Sequence, residues 1–153
     1  MRVSAKTDYA LRAAVELAAA HGDGTPVKGE RLATTQSIPL RFLENILLQL
    51  RHAGIVESRR GADGGYKLAR APEEITLADV IRAIDGPLAG VSGQRPETLD
   101  FKGTSEPLRD VWIAVRASLR GVLEGVTLAD VATGELPGNV QALTEAPDAW
   151  LPH

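Results

Sequence analysis

Arg41, Glu44, Asn45, Arg51 and His52 recur through residues 38–53 at intervals that gather them mostly on one side of a helix, with Leu43, Ile46, Leu47 and Leu50 on the other. These polar types have chemistry in common. An arginine fork can pair with guanine, an asparagine amide with adenine, and a glutamate can accept from cytosine. The run Arg59-Arg60-Gly-Ala-Asp-Gly-Gly-Tyr-Lys67 follows at once, basic and broken by three glycines. A polar-faced helix backed by a basic hairpin is how a winged helix-turn-helix engages DNA: the helix enters the major groove, and the arginines of the wing reach phosphate or the minor groove.

The elements that must position these side chains can be read around them. Ser4 suits the N-cap of a first helix over 4–21, Ala/Leu-rich and closed before Gly22. A break at Gly22-Asp-Gly-Thr-Pro26 precedes a short helix over about 27–35, with Val27 and Leu32 facing inward and Gly29 weakening it. Pro39 falls in the first turn of the third helix, which ends near Ala53-Gly54 and is ~22 Å long at 1.5 Å per residue. A strand Ile55–Arg59, a glycine turn and a strand Tyr66–Ala69 complete the wing. Thr76-Leu-Ala-Asp79 opens a fourth helix closed by Gly86-Pro87. Residues 87–104 have no period and read as a surface loop, after which a long helix runs from Ser105 to Gly125, with Pro107 in its first turn. The tetrapeptide recurs as Thr127-Leu-Ala-Asp130, a reused capping sequence that opens one more short helix. The fold class is therefore mostly α with a small β-hairpin wing. Residues 1–86 form a DNA-binding winged helix-turn-helix, 87–104 a loop, 105–132 a long helix and its short successor, and 133–153 a loosely ordered acidic tail.

Composition narrows the function. The 153 residues contain no cysteine, which removes disulfides, thiolate zinc sites and cysteinyl iron–sulfur clusters together. The net charge of −3 is divided unevenly: residues 1–72 carry 11 Lys/Arg against 7 Asp/Glu, residues 73–153 carry 6 against 13. A basic first half is the electrostatic footprint of a nucleic-acid binder. The longest apolar run, Val111 to Val115, is far short of the ~20 residues of a membrane span, so no membrane partner is expected and the cytoplasm is the expected location. His21, His52 and His153 share no metal-ligand spacing, and neither a metal nor another cofactor is expected.

Three segments taken in order, Met1-Arg-Val-Ser-Ala-Lys-Thr-Asp-Tyr-Ala-Leu-Arg-Ala13, Phe42-Leu-Glu-Asn-Ile-Leu-Leu-Gln-Leu-Arg-His-Ala-Gly54 and Arg60-Gly-Ala-Asp-Gly-Gly-Tyr-Lys-Leu68, resemble the Rrf-two family of bacterial winged-helix regulators over residues 1 to about 130. The resemblance implies a homodimer joined by the long helix near 105–125, through Leu108, Val111, Trp112, Val115, Leu119 and Val122, each protomer reading half of a palindromic operator in double-stranded DNA. It implies readers at Arg41, Phe42, Glu44, Asn45 and Arg51, with Arg60, beside Gly61, entering the minor groove. Lys67, Arg2 and Lys6 are phosphate contacts in this reading, although surface decoration accounts nearly as well for the last two. Phe42 divides evenly between a thymine contact and the rim of the core. Trp112 reads as a core or dimer anchor.

Cluster-bearing members of that family place three cysteines in the region equivalent to 86–106, where this chain has none. Asp8 matches a position that supplies a cluster ligand in some relatives, but one oxygen ligand cannot hold a cluster. The expected function is thus a cluster-free, dimeric transcription regulator, a repressor by analogy with the cysteine metabolism repressor. Its signal is left open between a protein partner, a small-molecule effector and no signal at all. A protein-interaction adaptor that kept the fold and lost DNA reading is the alternative. No nucleophile, paired-carboxylate or phosphate-loop constellation points to an enzyme.

Overall fold

The computed structural model describes residues 3–152. Helix α1 (Ala5–Ala19) is the hub. Its face of Ala10, Ala13, Ala14 and Leu17 is buried, and the small alanines let neighbouring helices approach closely. Ser4 caps it as the sequence predicts, its Oγ accepting from the Thr7 N–H. Thr7, the one buried polar residue among those described, donates its hydroxyl to Asp85.

Helices α2 (Gly29–Gln36) and α3 (Leu40–His52) form the helix-turn-helix. Leu43, Ile46, Leu47 and Leu50 of α3 are all 0% exposed, so the apolar stripe read from spacing is the buried face. Pro39 is the N-cap residue of α3 and stands just before its first turn. Strands β1 (Val56–Arg59) and β2 (Gly65–Leu68) pair antiparallel with Val56 opposite Leu68 and Arg59 opposite Gly65. Val27 joins the outer edge of β2 through two backbone hydrogen bonds with Tyr66, each 2.8 Å. Val27 is thus a strand-like partner of the wing and precedes α2, whereas the sequence reading placed it inside that helix.

Helix α4 (Leu77–Asp85) follows, then a loop with two single 3₁₀ turns, then α5 (Leu108–Leu123), α6 (Leu128–Thr133) and α7 (Gly138–Thr144). The two Thr-Leu-Ala-Asp segments form matching capping boxes, Thr76 with Asp79 and Thr127 with Asp130. They also dock on each other: Leu77 N–H donates to Val126 C=O at 2.9 Å and Leu128 N–H to Ile75 C=O at 2.8 Å. That pairing returns α6 to α1 and buries Leu128 in the winged-helix core. The packing therefore separates α6 from α5, the helix with which the sequence reading had grouped it. In the acidic C-terminal segment, α7 is an element that the sequence reading did not include.

Candidate nucleic-acid interface

Between α2 and α3 the chain turns at Ser37, which adopts φ 53° and ψ 44°, the left-handed conformation a helix C-cap uses. Ile38, buried, returns its N–H to Ala33 C=O and fixes the angle at which α3 leaves. With the apolar stripe of α3 sealed, Arg41, Phe42, Glu44, Asn45, Arg51 and His52 are all exposed on the rest of the helix. Leu48 shares that exposed surface, one turn beyond Glu44 and two beyond Arg41, and is 41% exposed. An apolar side chain amid a polar helix face is the kind that packs on a thymine methyl. Its spacing from Arg41 and Glu44 was the signal, masked by the neighbouring Leu47.

Several of the polar groups are already oriented. Lys6 Nζ donates to Gln49 Oε1 at 2.8 Å, and Gln49 Nε2 donates to Asn45 Oδ1 at 2.7 Å. An ammonium can only donate, so it fixes which way the Gln49 amide faces, and that in turn fixes Asn45. Asn45 is held with its oxygen toward Gln49 and its NH₂ on the other side. Sequence reading missed Gln49, and Lys6 reaches the reader helix through it. Arg51 donates to Ser58 Oγ at 3.1 Å, tying the end of α3 to β1. Phe42 lies edge-on to Tyr9, with ring centroids 5.7 Å apart, while remaining 43% exposed. Arg12 covers the same Tyr9 ring at 4.7 Å and pairs with Asp8 at 2.9 Å.

The wing is built on backbone that side chains would obstruct. A Cβ at Gly64 would stand 2.2 Å from Arg59 C=O, and one at Gly65 2.5 Å from Val27 C=O. Gly61 has φ 103°. Arg59, the last residue of β1, and Arg60, the first residue beyond it, are both exposed. Lys67 forms a cross-strand pair with Glu57 at 2.8 Å, which partly neutralises it. Arg2 lies outside the described residues.

On α5 no side chain is fully buried. Val111, Val115, Leu119 and Val122 line an apolar groove of about 640 Å³ together with Leu123 and, from α7, Leu143. Leu108 is exposed outside that groove, and Trp112 is half-buried away from it.

A two-helix reader, a glycine-turned wing and a basic face define a helix-turn-helix DNA-binding protein of the transcription-regulator class. The chain belongs to the Rrf2 family, described as iron-dependent transcriptional regulators, whose match covers residues 3–134. Rv1287 of Mycobacterium tuberculosis, named as a candidate HTH-type transcriptional regulator, is 52% identical over 95% of this chain and 89% of its own length. CymR of Bacillus subtilis, an HTH-type transcriptional regulator, is 38% identical over 87% of this chain and 91% of its own. The solved structure of B. subtilis CymR, titled the global cysteine regulator, covers 88% of this chain and 98% of its own, with a TM-score of 0.75 and 36% identity. That of T. potens IscR covers 93% and 96%, with a TM-score of 0.70 and 32% identity.

The iron in the family's description finds no matching donor set among the described residues. The chain has no thiolate to offer, Asp8 is engaged by Arg12, and no group of three His, Asp or Glu converges among the described residues. The residues present do not fit an iron–sulfur cluster.

Proposed function

We propose that the protein is a homodimeric repressor that reads a palindromic operator, with α3 in the major groove and the wing against the adjacent backbone and minor groove. The observation that carries this reading is the exposed face of α3, where Arg41, Glu44, Asn45 and Leu48 stand together over a sealed apolar stripe. In this reading Arg41, Glu44 and Asn45 contact base edges, and Leu48 covers a thymine methyl. Phe42 supports the start of α3 through Tyr9 and offers its open half to a sugar or methyl group. Arg51, already bonded to Ser58, and Lys67 contact phosphate, and Arg60 with Gly61 enters the minor groove. Dimerisation would pair the apolar grooves of two α5 helices, because Val111 and Val115 stay exposed and Leu119 and Val122 are only half-buried among the described residues.

The test begins with a duplex selected from a random library by the purified protein. A palindromic consensus is expected, bound with Kd on the order of 1–100 nM at moderate salt. Arg41→Ala with Arg60→Ala should abolish preference for that duplex over an unrelated one. Equal discrimination by the double variant would reject these two residues as readers, and recovery of no consensus at all would reject sequence-specific reading.

A further inference from the structure

The acidic half of the chain collects its few cations in one place. Residues 73–153 contain six Lys/Arg. Four of them, Arg82 on α4, Arg95 in the following loop, and Arg116 and Arg120 on α5, line a single cavity of about 770 Å³. That size suits a small ligand, for which sites of ~300–1,000 Å³ are usual. The loop adds small residues such as Gly86, Ala89 and Gly93 together with Gln94 and Glu97, so the arginines supply the cationic part of its recognition chemistry.

Their present partners indicate what they would hold. Arg116 is paired with Glu97, while Arg82 and Arg120 both converge on Glu124, Arg120 at 3.0 Å. Arg95 forms neither an ion pair nor a side-chain hydrogen bond among the described residues. Asp85, the remaining acid in the wall, is turned toward α1 and accepts from Ser4 and Thr7. Four guanidinium groups therefore stand against three carboxylates, one of them, Asp85, turned away to hydroxyl donors, which leaves the cavity net positive inside a half-chain whose net charge is strongly negative. Glu97 is held below its ordinary carboxyl value by a backbone hydrogen bond and Arg116, and Glu124 by Arg82 and then Arg120. Both are charged at neutral pH, and their three ion pairs are at least partly exposed to water, where such pairs are readily exchanged.

We propose that this cavity binds a small polyanion carrying at least two acidic groups, carboxylate or phosphate, which takes the arginine forks now occupied by Glu97 and Glu124. The guanidinium geometry matches either acid in a bidentate manner. The cavity lies between α5 and α4, and α4 packs against both α1 and α3. Transmission of its occupancy to DNA rests on the function proposed above; the site itself does not.

Calorimetric titration of the full chain in low-salt buffer without DNA separates the two. Citrate and pyrophosphate are titrated separately, with acetate as the monovalent control. Saturable binding of at least one polyanion is expected, one per chain, and the arm that binds identifies carboxylate or phosphate. Arg95→Ala with Arg116→Ala should weaken it roughly tenfold or more, the loss that follows from removing charge-assisted hydrogen bonds. Glu97→Gln and Glu124→Gln each remove an internal competitor and should bind the same polyanion more tightly than wild type, a gain that misfolding cannot produce. The proposal is overturned if neither polyanion saturates, if the arginine variants bind as well as wild type, or if both glutamine variants bind no more tightly.

Discussion

Asn45 owes its orientation to a residue on another helix, and this makes the Lys6–Gln49–Asn45 chain testable. With the Lys6 ammonium donating, the amide of Gln49 has one allowed orientation, and the Asn45 oxygen faces it. Gln49→Leu should release Asn45 and erode discrimination at one base pair of the operator half-site by ~1–3 kcal/mol, without changing the salt dependence of binding. Lys6→Met separates relay from phosphate contact. A relay predicts the same loss of discrimination. A direct phosphate contact predicts uniform weakening across sequences and a salt slope shallower by ~0.9 per protomer. Competition binding against single-base-pair variants of the operator, repeated at several salt concentrations, reads both quantities. Such a chain is not visible in sequence, because Lys6 and Gln49 are 43 positions apart and neither lies in a motif that names the other. That Arg41, Glu44 and Asn45 are exposed was legible because periodicity alone separates them from the buried stripe of α3. Leu48 was not, because hydropathy cannot tell an exposed apolar residue from one facing the core.

Two turns decide how the reading elements are presented. The wing closes only because Gly64 has no Cβ, which would meet Arg59 C=O at 2.2 Å and the Gly61 C=O at 2.9 Å. Gly64→Ala should open the hairpin tip, raising amide exchange at Arg59–Gly65 and weakening DNA binding, while the α1–α3 core keeps its protection. At the other turn, Ser37 holds φ 53° without being glycine. A left-handed non-glycine residue costs roughly 1–2 kcal/mol, so Ser37→Gly should raise stability by a few tenths to ~1 kcal/mol in urea denaturation, offset in part by the flexibility it adds to the unfolded chain. The sequence made these elements readable where local chemistry sets them: Ser4 and the two Thr-Leu-Ala-Asp boxes cap helices, and the clustered glycines mark the wing. It was silent where a long-range contact decides. Nothing local says that the segment at Thr127 pairs with the one at Thr76, or that α6 therefore belongs to the core. Helix α7, opened by Pro137-Gly138, has little intrinsic helix preference; one tie is Gln141, whose side chain donates to Leu136 C=O at 2.7 Å.

Across the whole molecule, charge and apolar surface are divided between two jobs. The basic first half presents α3 and the wing, and the acidic second half carries α5, whose apolar groove faces outward. Ion pairs hold α5 to its surroundings: Arg116 to Glu97 of the loop, and Arg82 of α4 to Glu124 just past the end of α5. Because both carboxyls are depressed in the folded state, their contribution is complete above the ordinary carboxyl value and fades as pH falls through the lower folded values. Acidification below about pH 4 should therefore loosen α5 before the winged core, read as earlier loss of amide protection over 108–123. The groove itself yields the decisive prediction for assembly. Val115 stands mid-helix, is 38% exposed and lines the groove beside Val111 and Leu119. If a second copy covers that surface, Val115→Glu places a charge where dimer burial would leave it unpaired, a penalty of several kcal/mol for the pair of subunits. Sedimentation should then show a monomer at concentrations where wild type is dimeric. Because α5 lies outside the reader, the monomer should keep the melting of its winged core and its non-specific, salt-sensitive affinity for DNA. Preference for the full palindrome over a single half-site should disappear, since that preference comes from two readers held at a fixed separation. A Val115→Glu protein that stays dimeric would place the interface elsewhere, and a monomer that still prefers the full palindrome would remove α5 pairing from the basis of operator recognition.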